Sequence, residues 1–205
     1  MNHADEKVQT VKLTGKNLIL LLLYSPTVGE ATNVPIAGRT RLMKMGFLFI
    51  KEVLGDFRQG AEVDESKLPE YFGWKYGPFS VQLVDDLEFL INQGYVRRSQ
   101  EQATLSDITV SEEEMREWQY DYWVEDADEF QSREYDEEAF ELGPRGVARA
   151  KEIWEALSDN QQRWLVEFKK VLNRAPLSRI LEYVYKKYRE DGYIDRSVIR
   201  DRYLA

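Results

Sequence analysis

Arg39-Thr40-Arg41-Leu42-Met43-Lys44, Trp74-Lys75-Tyr76-Gly77-Pro78-Phe79-Ser80 and Gln93-Gly94-Tyr95-Val96-Arg97-Arg98 are the blocks whose reading decides the fold. From the first block onward, Leu42, Met45, Phe49 and Val53 recur at helical spacing, and Phe47, Ile50 and Leu54 widen the stripe. This periodicity predicts a helix over residues 39–54 that Gly55 ends, with Arg41, Lys44, Leu48 and Lys51 along its opposite side. In the second block, Gly77-Pro78 reads as a turn whose proline suits the first position of a helix over 79–93. Val84, Leu87, Leu90 and Ile91 then point inward, while Gln82, Asp85, Asp86 and Gln93 point outward. Gly94 is placed to cap that helix. Tyr95-Val96-Arg97 opens a strand, and residues 104–110 alternate well enough to be its return. Two helices followed by a hairpin is the order of a winged helix-turn-helix.

Working outward, Thr14 is a plausible N-cap for a helix over 15–24 that is apolar nearly all round and so belongs in the core. Residues 1–13 are polar and expected to fray, and 26–35 and 59–71 read as loops. Ser111-Glu112-Glu113-Glu114 has the outline of a capping box, and Met115, Trp118, Tyr122 and Trp123 make part of a helical stripe. Phe140-Glu141-Leu142 reads as a last short strand. Gly143-Pro144-Arg145-Gly146 then turns into a helix over 147–157, with Ala150, Ile153, Trp154 and Leu157 inward. Ser158 caps the next helix, which carries Trp164, Leu165, Phe168, Val171 and Leu172. Pro176 breaks the chain before a final stripe of Leu177, Ile180, Leu181, Val184 and Tyr188. The expected architecture is mainly α with a small β wing. A winged-helix domain spans 14–110, an acidic aromatic connecting segment 111–141, and a C-terminal helical bundle 142–205.

The longest apolar run, residues 18–23, is too short for a membrane span, which needs about 20 residues. Lysines precede it as in a signal peptide, but no small-residue cleavage site follows. With no cysteine, the chain has no disulfide, thiol nucleophile or cysteine zinc site, and it suits a reducing cytosol. A cytoplasmic protein is expected. The net charge of −9 is local: residues 111–141 hold fourteen Asp/Glu against Arg116 and Arg133, so the rest of the chain is slightly basic.

Gly38-Arg39-Thr40-Arg41-Leu42-Met43-Lys44, the Trp74–Ser80 block and Leu142-Gly143-Pro144-Arg145-Gly146 together resemble the YwgA-like winged-helix proteins of bacteria and archaea. Pro176-Leu177 and Tyr183-Val184-Tyr185-Lys186-Lys187-Tyr188 fit the same family, so the likeness covers about 14–200. The Tyr-Gly-Pro knot before a helix is also similar, more distantly, to the Panacea domain of SocA-like antitoxins. The resemblance implies a winged helix and assigns no activity. The acidic insert is longer than the YwgA-like pattern.

The basic residues Arg39, Arg41, Lys44, Lys75, Arg97 and Arg98 are candidates to straddle a phosphate backbone, with the bland alternative of a solvated helix face. Against nucleic acid, the recognition helix carries Asp85, Asp86 and Glu88, which repel phosphate. Trp74, Asp85, Asp86, Trp118, Tyr122 and Trp123 are the candidates for a protein partner. The acidic segment could then meet a basic protein or mimic nucleic acid. Trp74 and Tyr76 could equally pack beneath the helix start. Asp126, Asp128 and Glu129 cluster hard ligands but follow no calcium-loop pattern, so no metal is expected. His3 is the sole histidine, and no phosphate loop or serine elbow is present; no enzyme and no cofactor are expected. The sequence thus points first to a non-catalytic nucleic-acid-binding regulator, such as a transcription regulator or antitoxin-like factor. A protein-interaction adaptor is its alternative. A homodimer through the wing or the bundle stays open.

Overall fold

Residues 18–23 are almost wholly removed from solvent, and the rest of the molecule is layered around them. They belong to α1 (Gly15–Tyr24), which starts where the Thr14 side chain accepts the Asn17 N–H. In the computed structural model, which describes residues 11–26, 32–59, 61–101 and 137–204, the fold is mainly helical with small sheets. No helix among the described residues is long and apolar enough to cross a membrane.

Ahead of α1, β1 (Val11–Leu13) pairs in parallel with β3 (Ala61–Val63), so both regions expected to be irregular contribute a strand. Between them come β2 (Ile36–Ala37) and α2 (Arg39–Leu48). The helical path then widens into a π-turn over Phe49–Val53 and tightens again as α3 (Leu54–Phe57). Gly55 therefore does not end the helix. Phe57 is fully buried and meets Phe49 edge-on at 5.3 Å, which draws the last turn inward past the glycine.

The Gly77-Pro78 reading is corrected as well. These residues lie in β5 (Gly77–Phe79), which pairs with β4 (Phe72–Trp74) as a tight hairpin. The following helix, α4 (Val81–Asn92), begins only after Ser80, whose hydroxyl accepts the Leu83 N–H. Gly94 takes the left-handed conformation, at φ +71°, that the capping expectation requires.

Beyond α4, β6 (Val96–Glu101) pairs antiparallel with β7 (Glu137–Leu142), in register from Val96↔Leu142 to Glu101↔Glu137. The other edge of β7 takes β2, giving the order β2-β7-β6. The expected return strand at 104–110 lies outside the described residues; the strand that pairs with β6 is β7. Residues 102–136 therefore leave and rejoin one hairpin at the same end. The last five residues of the acidic segment, 137–141, belong to β7.

The expected break at residue 142 is not a break in packing. Helices α5 (Pro144–Glu155) and α6 (Asp159–Arg174) pack against α1, and one buried cluster runs from Val11 to Leu165. Lys169 of α6 is fully buried and donates to the Leu23 and Val34 carbonyls at 2.8 and 2.9 Å, closing the C-terminal end of α1. Ser158 and Gln161 form the capping box that starts α6, and Gln161 also reaches the Phe57 carbonyl. Then α7 (Leu177–Lys187) covers α2, where Phe47 and Leu48 are buried with Ile180, Leu181 and Val184. A short α8 (Arg200–Leu204) ends the described chain. The side of α2 expected to be solvated is thus mostly interior: Lys44 and Leu48 are buried, Arg41 is half-buried, and only Lys51 is exposed.

Candidate functional site

Capping by Ser80 sets the rotation of α4. Leu83, Asp86, Leu87 and Leu90 turn inward, while Val81, Asp85 and Phe89 turn to solvent. The outward placement of Asp86 is therefore corrected. Its carboxylate accepts the Lys16 ammonium and lies against the first turn of α1, where Gly15 leaves room because any Cβ there would overlap it. Asp86 is a structural anion; Asp85 is the exposed one.

Glu88 sits beside this face and is the centre of a charge network. It accepts Arg39 Nη1 at 2.8 Å and both oxygens accept Arg98 Nη2, at 2.7 and 2.6 Å. Glu138 of β7 accepts Arg39 Nε at 2.7 Å and lies 3.7 Å from Arg98 Nη1. The four charges alternate in sign and tie the start of α2, α4 and the β6–β7 hairpin together. Isolated surface pairs contribute about 0–1 kcal/mol each, but a forked guanidinium shared by two carboxylates holds its geometry better than a single contact does.

Arg41 and Lys44, also proposed to grip phosphate, are engaged by carbonyls. Arg41 Nη1 donates to the Leu172 and Ala175 carbonyls at the end of α6, at 2.5 and 2.6 Å. Lys44 Nζ donates to the Tyr76 and Pro78 carbonyls at 2.7 and 2.8 Å, and so holds the β4–β5 hairpin from beneath. Lys75 is half-buried, and its own carbonyl accepts the Val198 N–H. Arg97 is exposed and forms no ion pair among the described residues. The six residues thus do not form one positive stripe, since four of them hold internal carboxylates or carbonyls.

Burial pushes the Lys44 ammonium down to about 7. Its folded value lies below its unfolded one, so between them the unfolded chain binds more protons, and stability rises with pH across that window. The difference in unfolding free energy between the native chain and a Lys44→Met variant should be flat below about pH 7. Above it, urea titrations should show a climb towards pH 10 at up to about 1.4 kcal/mol per unit. Equal pH dependence in the two chains would show that Lys44 stays charged throughout.

Among the protein-partner candidates, Trp74 is half-buried. Its ring meets Phe72 edge-on at 6.1 Å, and its indole N–H is buried with no acceptor among the described residues. Trp118, Tyr122 and Trp123, like Asp126, Asp128, Glu129 and His3, lie outside the described residues. Among the described ones, no three carboxylate or imidazole groups are placed to hold a metal ion.

Two features escaped the sequence reading. Val81 and Phe89 of α4 are 53 % and 47 % exposed, with the Lys16 ammonium 4.9 Å above the Phe89 ring. The signal was their spacing of four from Asp85 on either side. Glu52, in the π-turn, accepts Tyr183 and Tyr188 hydroxyls and the Lys187 ammonium, at 3.0, 2.7 and 3.0 Å, and pins α7 to α2. No spacing rule connects residues so far apart in the chain.

Compared with known proteins, the chain matches no family model, no curated protein and no solved structure.

Proposed function

We propose that this chain is a non-catalytic winged-helix module of the YwgA-like kind, and that its partner is a protein. The winged-helix reading is supported by the order α1, β2, α2, α4, β6, β7 and by the sheet order β2-β7-β6, with α4 in the place of a recognition helix. On this reading the β6–β7 hairpin is the wing.

The observation that carries a protein partner in preference to nucleic acid is the engagement of Arg39 and Arg98 by Glu88 and Glu138. Phosphate binding draws its affinity from cations that release counterions, and cations already neutralised by carboxylates have little to offer. A recognition helix whose solvent face is Val81, Asp85 and Phe89 suits a protein surface better than a groove lined by phosphates.

Titration against random duplex and single strands at two salt concentrations tests this. No salt-sensitive binding is expected at either. Binding that falls with salt and is lost in an Arg97→Ala/Arg98→Ala chain would overturn the reading and restore the nucleic-acid regulator. A second outcome follows from the network: a Glu88→Gln/Glu138→Gln chain releases Arg39 and Arg98 and should gain weak, salt-sensitive duplex binding. If that double variant binds no better than the native chain, the ion pairs are not what keeps nucleic acid away.

A further inference from the structure

From the solvent face of α4 we infer a docking site for a basic amphipathic helix, one that sets a Lys or Arg between two apolar side chains. The inference rests on the protein-partner reading above and names the partner's chemistry. Val81, Asp85 and Phe89 occupy successive turns of α4 and span about 12 Å at 1.5 Å per residue. The two apolar members are about half exposed, and the carboxylate between them has no ion pair among the described residues. Its neighbours differ: Asp86 is held by Lys16, and Glu88 by Arg39 and Arg98.

The Lys16 ammonium, itself held by Asp86, covers a face of the Phe89 ring, so Phe89 offers its exposed apolar surface and the cation-seeking group of the site is the Asp85 carboxylate. A helix lying along α4 with apolar residues four positions either side of a Lys or Arg matches the spacing Val81, Asp85, Phe89 turn for turn.

Charge argues against two other occupants. A second copy crossing α4 about a two-fold axis would match Val81 to the partner Phe89, but it would set Asp85 against Asp85. The chain's own residues 102–136 hold twelve Asp/Glu against two arginines, which the Asp85 carboxylate repels.

The test is selection of a displayed peptide library against the full chain. The library uses peptides of about 16 residues, long enough to form a helix, randomised along one face. Enrichment is expected for peptides with Lys or Arg between apolar residues four positions away on each side. An Asp85→Arg chain should select Asp or Glu at that position, and a Phe89→Ser chain should bind the original winners at least about tenfold more weakly. Both substitutions are on the exposed face, and circular dichroism checks that each chain folds. Overturning results are no enrichment, an acidic consensus, or a consensus indifferent to both substitutions. A dimer of the native chain in sedimentation that Phe89→Ser dissociates would also overturn it, by making a second copy the occupant. Failure of the underlying reading shows separately, as salt-sensitive duplex binding.

Discussion

Phe47→Ala is expected to lower the unfolding free energy by about 3–5 kcal/mol, the range for emptying a fully buried phenylalanine site. Phe47 has no solvent exposure, and three rings meet it edge-on: Tyr71 at 5.3 Å, Tyr188 at 4.8 Å and Tyr193 at 5.0 Å. Two of these belong to the C-terminal segment, so the substitution removes the anchor by which that segment grips α2. A cavity walled by three rings cannot close by rotating one side chain, which places the cost high in the range. Urea unfolding should show a lower midpoint, with protease cleavage appearing first beyond α7. Phe72→Ala, at a 42 % exposed position, should change stability by less than about 1 kcal/mol. Similar losses for the two variants would mean that Phe47 is not the anchor.

The second large effect comes from a single added methyl group. At Gly146, in the first turns of α5, a Cβ would overlap the Tyr95 carbonyl oxygen and stand 2.9 Å from its carbon. Both are backbone atoms, so no rotamer change relieves the clash; α5 has to move away from the start of β6. Gly146→Ala should therefore cost at least about 3 kcal/mol, beyond the usual overpacking penalty. Gly55→Ala is the matched control. Nothing lies within 4 Å of a Cβ there, and alanine is the better helix former by about 1 kcal/mol, so this change should be neutral or stabilising. A mild Gly146→Ala would show that the α5–β6 contact is looser than it stands here.

Local signals in the chain were read correctly where the physics is local. Thr14, Ser80 and Ser158 each accept an N–H three residues on, although Ser80 had been placed inside its helix, one residue past the expected start. Gly94 and Pro176 fall at helix boundaries for the backbone reasons that make glycine and proline punctuation. The readings that failed needed knowledge of what lies across from a residue. Proline suits a helix start, yet Pro78 pairs in a strand with Gly73. Gly55 looked like a stop, but the burial of Phe57 continues the helix through it. Asp86 looked like surface charge because a buried carboxylate is rare; Lys16, seventy residues away, makes its burial affordable.

The candidate site divides along the same line. By itself the sequence determined a mainly helical chain, its apolar stripes and caps, a strand after the helix expected over 79–93, and one strongly acidic stretch. These follow from periodicity and backbone stereochemistry, which act within a few residues. Only the tertiary structure decided that Arg39 and Arg98 share Glu88 and Glu138, that Lys44 supports a hairpin, and that the end of the acidic stretch pairs with β6. It alone also left Val81 and Phe89 facing solvent on either side of Asp85. The reason is physical: whether a charge is available to a partner depends on the carboxylates and carbonyls that folding brings within about 3 Å of it, and in this chain those groups come from up to 146 residues away.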